Sequence, residues 1–225
     1  MTGAEREKLV RETLAEIASL KLRNTPALRG VRRGLSAKLR KAEVGDAKAV
    51  ALGLAKAGRK WIGCEVLAAH RGAMESLTIR EVEAIGDGMA SWEEVDSFGV
   101  LLSGAAWLNG RISDADVKRW AKSKDLWWRR AALVSTVVLN AKSRGGTGDA
   151  KRTLMIAKML VDDHEDMVVK AMSWALRSLV PWDRKAVQSF LVEHDEELAA
   201  RVKREVRNKL KTGLKNPKKY RVMFA

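Results

Sequence analysis

The sequence predicts an all-α fold, and three observations lead to this prediction. Apolar residues recur at spacings of three and four through nearly the whole chain, as they do in amphipathic helices. Two-residue alternation of β-branched side chains, which is typical of strands, is missing from the sequence. Proline is rare, with 3 in 225 residues, whereas charged residues make up 32% of the chain, and both values suit helices with solvated faces.

The first helix is predicted from the apolar spacing within residues 9–17. A second begins where Thr25 would be the N-cap and Pro26 the first helical residue, because proline has no N–H to leave unpaired there. Further helices are predicted over residues 47–57, 60–72, 79–90, 91–108, 114–122, 126–141, 150–161, 164–180, 182–192 and 195–212. Several of them follow a residue that can cap a helix, namely Asp46, Thr78, Ser91, Ser113, Asp125 and Asp149.

About twelve helices with short connections form roughly six hairpins of about 30–40 residues, which is in or just below the range of HEAT and armadillo repeats. We therefore expect a right-handed superhelical solenoid of about six HEAT-like helical pairs with a concave basic face. This single domain would occupy residues 1–213, followed by a basic tail at 214–225. A globular helical bundle is the alternative. The glycine-rich stretch 143–149 is expected to be a flexible linker, because it lacks the Gly-Lys-Ser/Thr ending of a phosphate loop.

The net charge of +15 is concentrated in two parts of the chain. Residues 21–41 contain eight basic residues and no acidic one, and residues 201–221 contain ten basic residues with Glu205 as the single acid. Blocks of this kind favour a polyanionic partner, of which nucleic acid is the first candidate.

Other classes of protein are disfavoured by composition. Cys64 is the single cysteine, so the sequence contains no disulfide framework and no cysteine-based metal site. No apolar run approaches the roughly 18 residues of a membrane-spanning helix. The first residues include glutamates and lack an apolar region, so we expect no secretory signal and a cytoplasmic, nucleoid-associated protein. The acidic cluster at 162–166 is interpreted as a helix start whose carboxylates cap free amides, and neither a metal nor a cofactor is expected.

Tryptophan is in excess over the other aromatic residues, with eight Trp against one Tyr and three Phe. Aromatic faces together with basic side chains are a common means of binding nucleic acid. For a single tryptophan, core packing is the more frequent role. Trp61, Trp107, Trp120 and Trp182 are accordingly predicted to be core residues, while Trp127 and Trp128 stay open between packing and function.

Three segments place a tryptophan beside charged residues on a predicted helix. Trp92 and Asp96 are four residues apart and share a helical face. Residues 127–130 read Trp-Trp-Arg-Arg at the start of another helix. Lys170, Trp174 and Arg177 follow at i, i+4 and i+7, again on one face. Because a buried face normally excludes charged residues, the repeated arrangement favours a functional surface.

These segments resemble the AlkD-type DNA alkylation repair enzymes, which are monofunctional DNA glycosylases built from HEAT-like repeats. The family's Ser-Trp-(x)-Asp/Glu-x-Val-Asp motif is similar to residues 91–96, and its Trp-x-x-Arg-Ala-Ala motif to residues 127–132. The Lys-Ala-x-Gly/Ser-Trp-x-Leu-Arg motif resembles residues 170–177, and a weaker Thr-Pro-x-x-Arg motif resembles residues 25–29. The four motifs keep the family's order over most of the chain.

The resemblance implies a role for each matching residue. Asp96 would be the catalytic carboxylate, and Trp92 and Trp174 would be the aromatic walls around the lesion nucleotide. The residues implied to contact DNA are Arg130, Arg177, Lys170, Thr25, Arg29 and Trp128. The implied activity is hydrolysis of the N-glycosidic bond of cationic N3- or N7-alkylated purines in double-stranded DNA, by a monomer and as part of base excision repair.

The chain also departs from the family pattern. Family members often carry a tyrosine in the first helical segment and a second tryptophan beside the position of Trp92, whereas the one tyrosine here is Tyr220. The alternative function is therefore a non-catalytic HEAT-repeat DNA-binding protein that recognises branched or distorted DNA. A helical scaffold for an acidic protein or RNA is a third possibility.

Overall fold

The computed structural model describes residues 1–22 and 24–217, and within these residues it is helical with no strand. The prediction of an all-α fold is confirmed. The chain divides into two compact units, Met1–Asp116 and Val117–Ala225. The predicted tail at 214–225 lies mostly outside the described residues, and the single domain over 1–213 stays a prediction.

The helices follow the predicted order closely. In the first unit they are α1 (Gly3–Ser19), α2 (Thr25–Leu39), α3 (Val44–Lys56), α4 (Lys60–Ala69), α5 (Arg71–Glu75), α6 (Ile79–Gly86), α7 (Trp92–Ser97) and α8 (Gly104–Leu108), with a π-helical segment (Phe98–Ser103) between the last two. Helix α9 (Asp114–Ala121) leads into the second unit. There follow α10 (Leu126–Leu139), a 3-10 turn (Lys142–Arg144), α11 (Ala150–Met159), α12 (Asp166–Leu179), α13 (Arg184–Glu193) and α14 (Ala200–Thr212).

In the first unit, helices pack against both their neighbour and the helix after it. Helices α3 and α4 form the most extensive pair, α1 lies on α3, and α2 lies on α4. Gly63 allows the close approach of α4 to α3, because a Cβ at this position would lie 2.6 Å from the carbonyl oxygen of Ala51. The core of this unit includes the fully buried side chains of Phe98, Leu102 and Trp107.

The second unit repeats this pattern of packing. Helix α12 packs against α10 on one side and α14 on the other, while α11 and α13 contact the helices that precede or follow them. The buried Asn140 at the end of α10 donates from Nδ2 to Thr153 Oγ1 of α11 at 2.9 Å, which joins these two helices. Packing of each helix on its neighbour and its next neighbour is compatible with a helical-repeat protein. The number of repeats, the superhelix and the concave basic face remain predictions.

Most of the predicted caps are confirmed. Thr78, Ser91, Asp125 and Asp149 each accept a hydrogen bond from a backbone N–H in the first turn of the following helix. Ser113 does so as well, because its hydroxyl accepts from Asp116 N at 3.3 Å. These bonds pair backbone donors that have no partner within the helix.

Two predicted caps are wrong. Asp46 lies inside the first turn of α3, where its carboxylate binds the terminal ammonium of Met1 at 2.7 Å and Arg6 at 3.2 Å. Asn24, not Thr25, caps α2, since its side chain accepts from Ala27 N at 3.0 Å. Asparagine caps helices at least as well as threonine does, so the helix begins one residue earlier than predicted.

The glycine-rich stretch 143–149 is a hydrogen-bonded turn, in contrast to the expected flexible linker. Gly146 N donates to Ala141 O at 3.0 Å, and Gly148 N donates to Leu139 O at 3.1 Å. A Cβ on Gly146 would lie 2.2 Å from Val138 O, so this approach of two backbones requires glycine.

The same turn places Trp182 at the surface, and its predicted core position is wrong. Its indole packs against Gly148 and donates to Asn140 O at 2.8 Å, while 37% of the residue stays exposed. Trp107 and Trp120 are buried as predicted, and Trp61 is half-buried.

Candidate active site

Helix α7 presents the first pair of predicted site residues. Ser91 caps the helix by accepting from Glu94 N at 3.3 Å, and Trp92 is its first residue. Trp92 is 49% exposed, which is unusual for so large an apolar side chain, and Asp96 is half-buried. Because both lie in the same helix four residues apart, the indole and the carboxylate occupy one face. Val95, between them in the sequence, is fully buried and anchors the helix.

A π-helical segment directly follows this pair and was not predicted. The sequence indicates one continuous helix over 91–108, whereas residues Phe98–Ser103 form a π-helix that continues α7 into α8. Gly104 N donates to Gly99 O, five residues earlier, so glycine stands at both ends of the wide turn. Glycine has a low preference for the α-helix, and it is the one local signal of this irregularity. π-Helical turns are frequent near functional sites.

Helix α12 carries the second group of predicted residues. Lys170, Trp174 and Arg177 are all half-buried, whereas Ala171, Met172, Ala175 and Leu176 are buried. The three predicted residues therefore form one partly accessible stripe along a helix whose middle is mostly buried. Lys170 Nζ pairs with Asp166 Oδ2 at 2.6 Å, one turn earlier.

Arg177 is held by a hydrogen-bonded chain that begins on α14. Arg177 Nε donates to Ser173 Oγ at 3.1 Å, and Ser173 Oγ donates to Glu205 Oε2 at 2.6 Å. Burial lowers the pKa of Arg177 below its ordinary value, and the charge of Glu205 opposes this effect. An arginine remains protonated at neutral pH after a shift of this kind.

Glu205 was not among the predicted site residues. It is 2% exposed and is the single acid of the basic stretch 201–221, which is the signal that sequence reasoning passed over. Burial raises the pKa of Glu205, but the hydrogen bonds from Ser173 and Arg201 and the charge of Lys215 outweigh burial, so the pKa lies below its ordinary value.

On helix α10, Arg130 is buried, whereas Trp128 is partly exposed. Arg130 is 4% exposed, and its Nη1 donates to Met167 O in α12 at 2.5 Å. Trp128 is half-buried and lies against Trp120, with ring centroids 5.2 Å apart and planes inclined at 40°. The burial of Arg130 favours a role in joining α10 to α12 over direct contact with a phosphate.

Arg130→Ala is therefore expected to lower the free energy of unfolding by about 1.5–3 kcal/mol, the usual loss for a buried hydrogen bond with a charged donor. Urea unfolding followed by circular dichroism measures this loss. The control is Arg144→Ala, which removes an exposed arginine of the same unit and is expected to change stability by less than about 0.5 kcal/mol. Unchanged stability of Arg130→Ala together with loss of DNA binding would instead support the phosphate contact that the motif implies.

The remaining predicted DNA contacts lie at the start of α2. Arg29 is exposed, and Thr25 is the first residue of the helix. The side chain of Thr25 lies outside the described residues.

The structure contains other groups of chemical interest. Burial raises the pKa of Cys64 to about 12, so its thiol is unreactive at neutral pH. In the acidic cluster at 162–166, Asp163 accepts from Glu165 N at 3.0 Å and pairs with Arg129 at 2.7 Å.

Among the residues that the structure describes, no group of three or more His, Cys, Asp or Glu could hold a metal ion. No helix within 1–22 and 24–217 has the length and apolar character to cross a membrane.

Comparison with known proteins places the chain in a family. A family model described as DNA alkylation repair enzyme matches residues 22–210, and this stretch contains all of the predicted site residues. Neither the curated proteins nor the solved structures contain a match. The matched family indicates a role in the repair of alkylation damage to DNA. Because this family model covers most of the sequence, the chain belongs to the DNA alkylation repair enzyme family.

Proposed function

We propose that the protein is a DNA glycosylase that hydrolyses the N-glycosidic bond of cationic N3- or N7-alkylated purines in duplex DNA. The observation that carries this proposal is the half-buried carboxylate of Asp96 one helical turn from the exposed indole of Trp92 in α7. The match to the DNA alkylation repair enzyme family supports DNA as the substrate. The net charge of +15 supports binding to a polyanion.

The reaction breaks the bond between C1′ of the deoxyribose and the purine nitrogen. The bonding electron pair leaves with the base, which departs as a neutral molecule because alkylation had made it cationic. Water adds its oxygen to C1′ and loses one proton, so the products are the free alkylated base, an abasic site and a proton. Since the base is already a good leaving group, the protein has no need of a strong general acid.

Asp96 would act on the positive charge that moves from the base to the sugar as the bond breaks. A carboxylate near C1′ stabilises the oxocarbenium character of the deoxyribose and orients the attacking water. Partial burial of Asp96 strengthens this effect, because the local dielectric constant is lower than in water.

The tryptophans and basic residues would bind the substrate. A cationic nucleotide is attracted to the face of Trp92 and of Trp174 by about 0.5–2 kcal/mol each. Arg177 and Lys170 on α12, and Arg29 on α2, are accessible enough to contact phosphates. The resemblance suggests that the sugar and backbone of the lesion are contacted rather than a base flipped into a pocket, which would relax the limit on the size of the adduct.

The proposal is tested by incubating the protein with a duplex that carries 7-methylguanine and measuring free base by chromatography. We expect release of 7-methylguanine and formation of an alkali-labile abasic site, with no release of guanine from the unmodified duplex. Retained binding to the duplex without any release of base would contradict the proposal. That result would favour the non-catalytic DNA-binding protein, and preferential binding to a four-way junction would then identify its ligand.

A further inference from the structure

Glu205 is the centre of a cluster of charged groups on α12, α14 and the segment after α14. Its Oε1 accepts from Arg201 Nε at 3.1 Å. Its Oε2 accepts from Ser173 Oγ at 2.6 Å and pairs with Lys215 Nζ at 3.4 Å. Arg177 joins the cluster through Ser173, to whose oxygen its Nε donates at 3.1 Å.

The carboxylate at the centre of the cluster is buried, whereas the cations around it are partly exposed to solvent. The carboxylate of Glu205 is buried, whereas the side chains of Arg201 and Lys215 remain 37% and 40% exposed and Arg177 is half-buried. Arg204 Nη2 also lies 4.0 Å from Glu205 Oε1, so four cations lie around this carboxylate. A second anion, Asp166, accepts from Arg201 Nη1 at 3.2 Å, and the cluster keeps an excess of positive charge. A partly exposed cluster with this excess of positive charge suits a phosphate group.

Stability alone is a weak explanation for this arrangement. A buried ion pair costs desolvation energy, and apolar residues of similar size often stabilise a protein as well or better. The Ser173 hydroxyl also accepts a hydrogen bond from Arg177 and donates one to Glu205. These two hydrogen bonds limit the orientations of the Arg177 guanidinium.

We propose that Glu205 is a positioning residue that holds Arg177, Arg201 and Lys215 as one binding cluster for the phosphates of duplex DNA, and that it acts on Arg177 through the hydroxyl of Ser173. This inference rests on the proposed function only in taking DNA as the ligand. It adds Arg201 and Lys215 to the DNA-contacting residues and gives Ser173 and Glu205 a role in their arrangement.

The sign of the effect on DNA binding separates this role from simple electrostatics. Glu205→Gln keeps the shape of the side chain and removes one negative charge. If Glu205 acted only through its charge, its removal would tighten binding to DNA, because the protein becomes more positive. If Glu205 positions the cations, its removal weakens binding although the net charge rises.

The measurement is the dissociation constant for an undamaged fluorescent duplex as a function of salt concentration. For Glu205→Gln we expect binding to weaken by about 5–20-fold at low salt. The slope of log Kd against log salt should fall by about 1–2, because each phosphate that the variant no longer binds lowers it by about one. Ser173→Ala should reproduce the part of this change that passes through Arg177. Circular dichroism and thermal unfolding establish that each variant is folded.

Asp195→Asn is the matched control. Asp195 pairs with Arg207 at 2.6 Å and with Lys203 at 3.4 Å, so this substitution also removes one negative charge and breaks ion pairs with α14. We expect binding by this variant to be equal to or tighter than that of the wild type, with an unchanged salt slope.

A double-mutant cycle with Arg177→Ala completes the test. The effect of Glu205→Gln should shrink when Arg177 is already absent, because part of its action passes through that residue. Tightened binding in Glu205→Gln, or an effect of equal size in both backgrounds, would overturn the proposal.

The outcome is independent of catalysis, since an undamaged duplex is the ligand. If the protein releases no base but Glu205→Gln weakens binding as described, the proposed glycosylase function is wrong and the positioning role of Glu205 is supported. If base is released but Glu205→Gln behaves like Asp195→Asn, the positioning role of Glu205 is wrong and the proposed glycosylase function is supported.

Discussion

Asp96→Asn is expected to slow the release of 7-methylguanine by about 10²–10³-fold, the usual loss when a group that stabilises transition-state charge is removed. The amide keeps the size of the carboxylate but loses the negative charge that would stabilise the oxocarbenium character of the sugar. Binding to an undamaged duplex should change little, because that interaction depends mainly on phosphates and cations. Single-turnover kinetics with excess enzyme measure the chemical step without a contribution from product release.

Glu93→Gln is the matched control for this substitution. Glu93 is an exposed carboxylate on the same helix, and its change to an amide alters the net charge equally. We expect this variant to release base at nearly the wild-type rate. Equal rates for Asp96→Asn and the wild type would exclude the assigned role of Asp96, and thermal unfolding shows whether any loss comes from misfolding.

The second large effect is expected from the tryptophans. Trp92→Ala and Trp174→Ala should each weaken the interaction with the cationic nucleotide by about 0.5–2 kcal/mol, which corresponds to about 2–30-fold in the rate of base release. The double variant should approach the product of the two losses if the indoles act independently. Phenylalanine at either position should restore part of the activity, because it keeps an aromatic face.

A pair of abasic-site analogues tests the cationic part of this interaction. A pyrrolidine analogue carries a positive charge where the sugar develops one, and a tetrahydrofuran analogue is neutral and of similar shape. Wild-type protein should bind the charged analogue more tightly, and each tryptophan variant should lose part of this preference. Trp182→Ala is the control, since Trp182 is exposed but lies outside the motifs. A wild-type protein without preference for the charged analogue would contradict the assignment.

Local sequence patterns were sufficient for most of the helices and their caps. Thr78 and Ser91 cap their helices as predicted because a cap depends on a hydroxyl and on backbone N–H groups within three residues. The exposure of Trp92 beside Asp96 also agrees with the spacing, since two residues four apart in a helix share a face.

Two of the wrong predictions concern side chains whose partners are distant in the sequence. Asp46 has the chemistry of a cap, but the terminal ammonium of Met1 and the guanidinium of Arg6 bind its carboxylate. Trp182 has the large apolar side chain of a core residue, but Gly148 lets its indole lie against the surface of a turn. Neither partner is visible in the spacing of nearby residues.

The sequence by itself determined the helical class, the order of the helices and the four motifs that lead to the family, because these depend on periodicity and on short segments. Only the tertiary structure decided that Arg130 is buried against α12 and that Glu205 gathers Arg177, Arg201 and Lys215. The reason is physical: the burial and the partners of a charged side chain depend on groups that packing brings close. Met167 is 37 positions from Arg130, and Glu205 is 32 from Ser173.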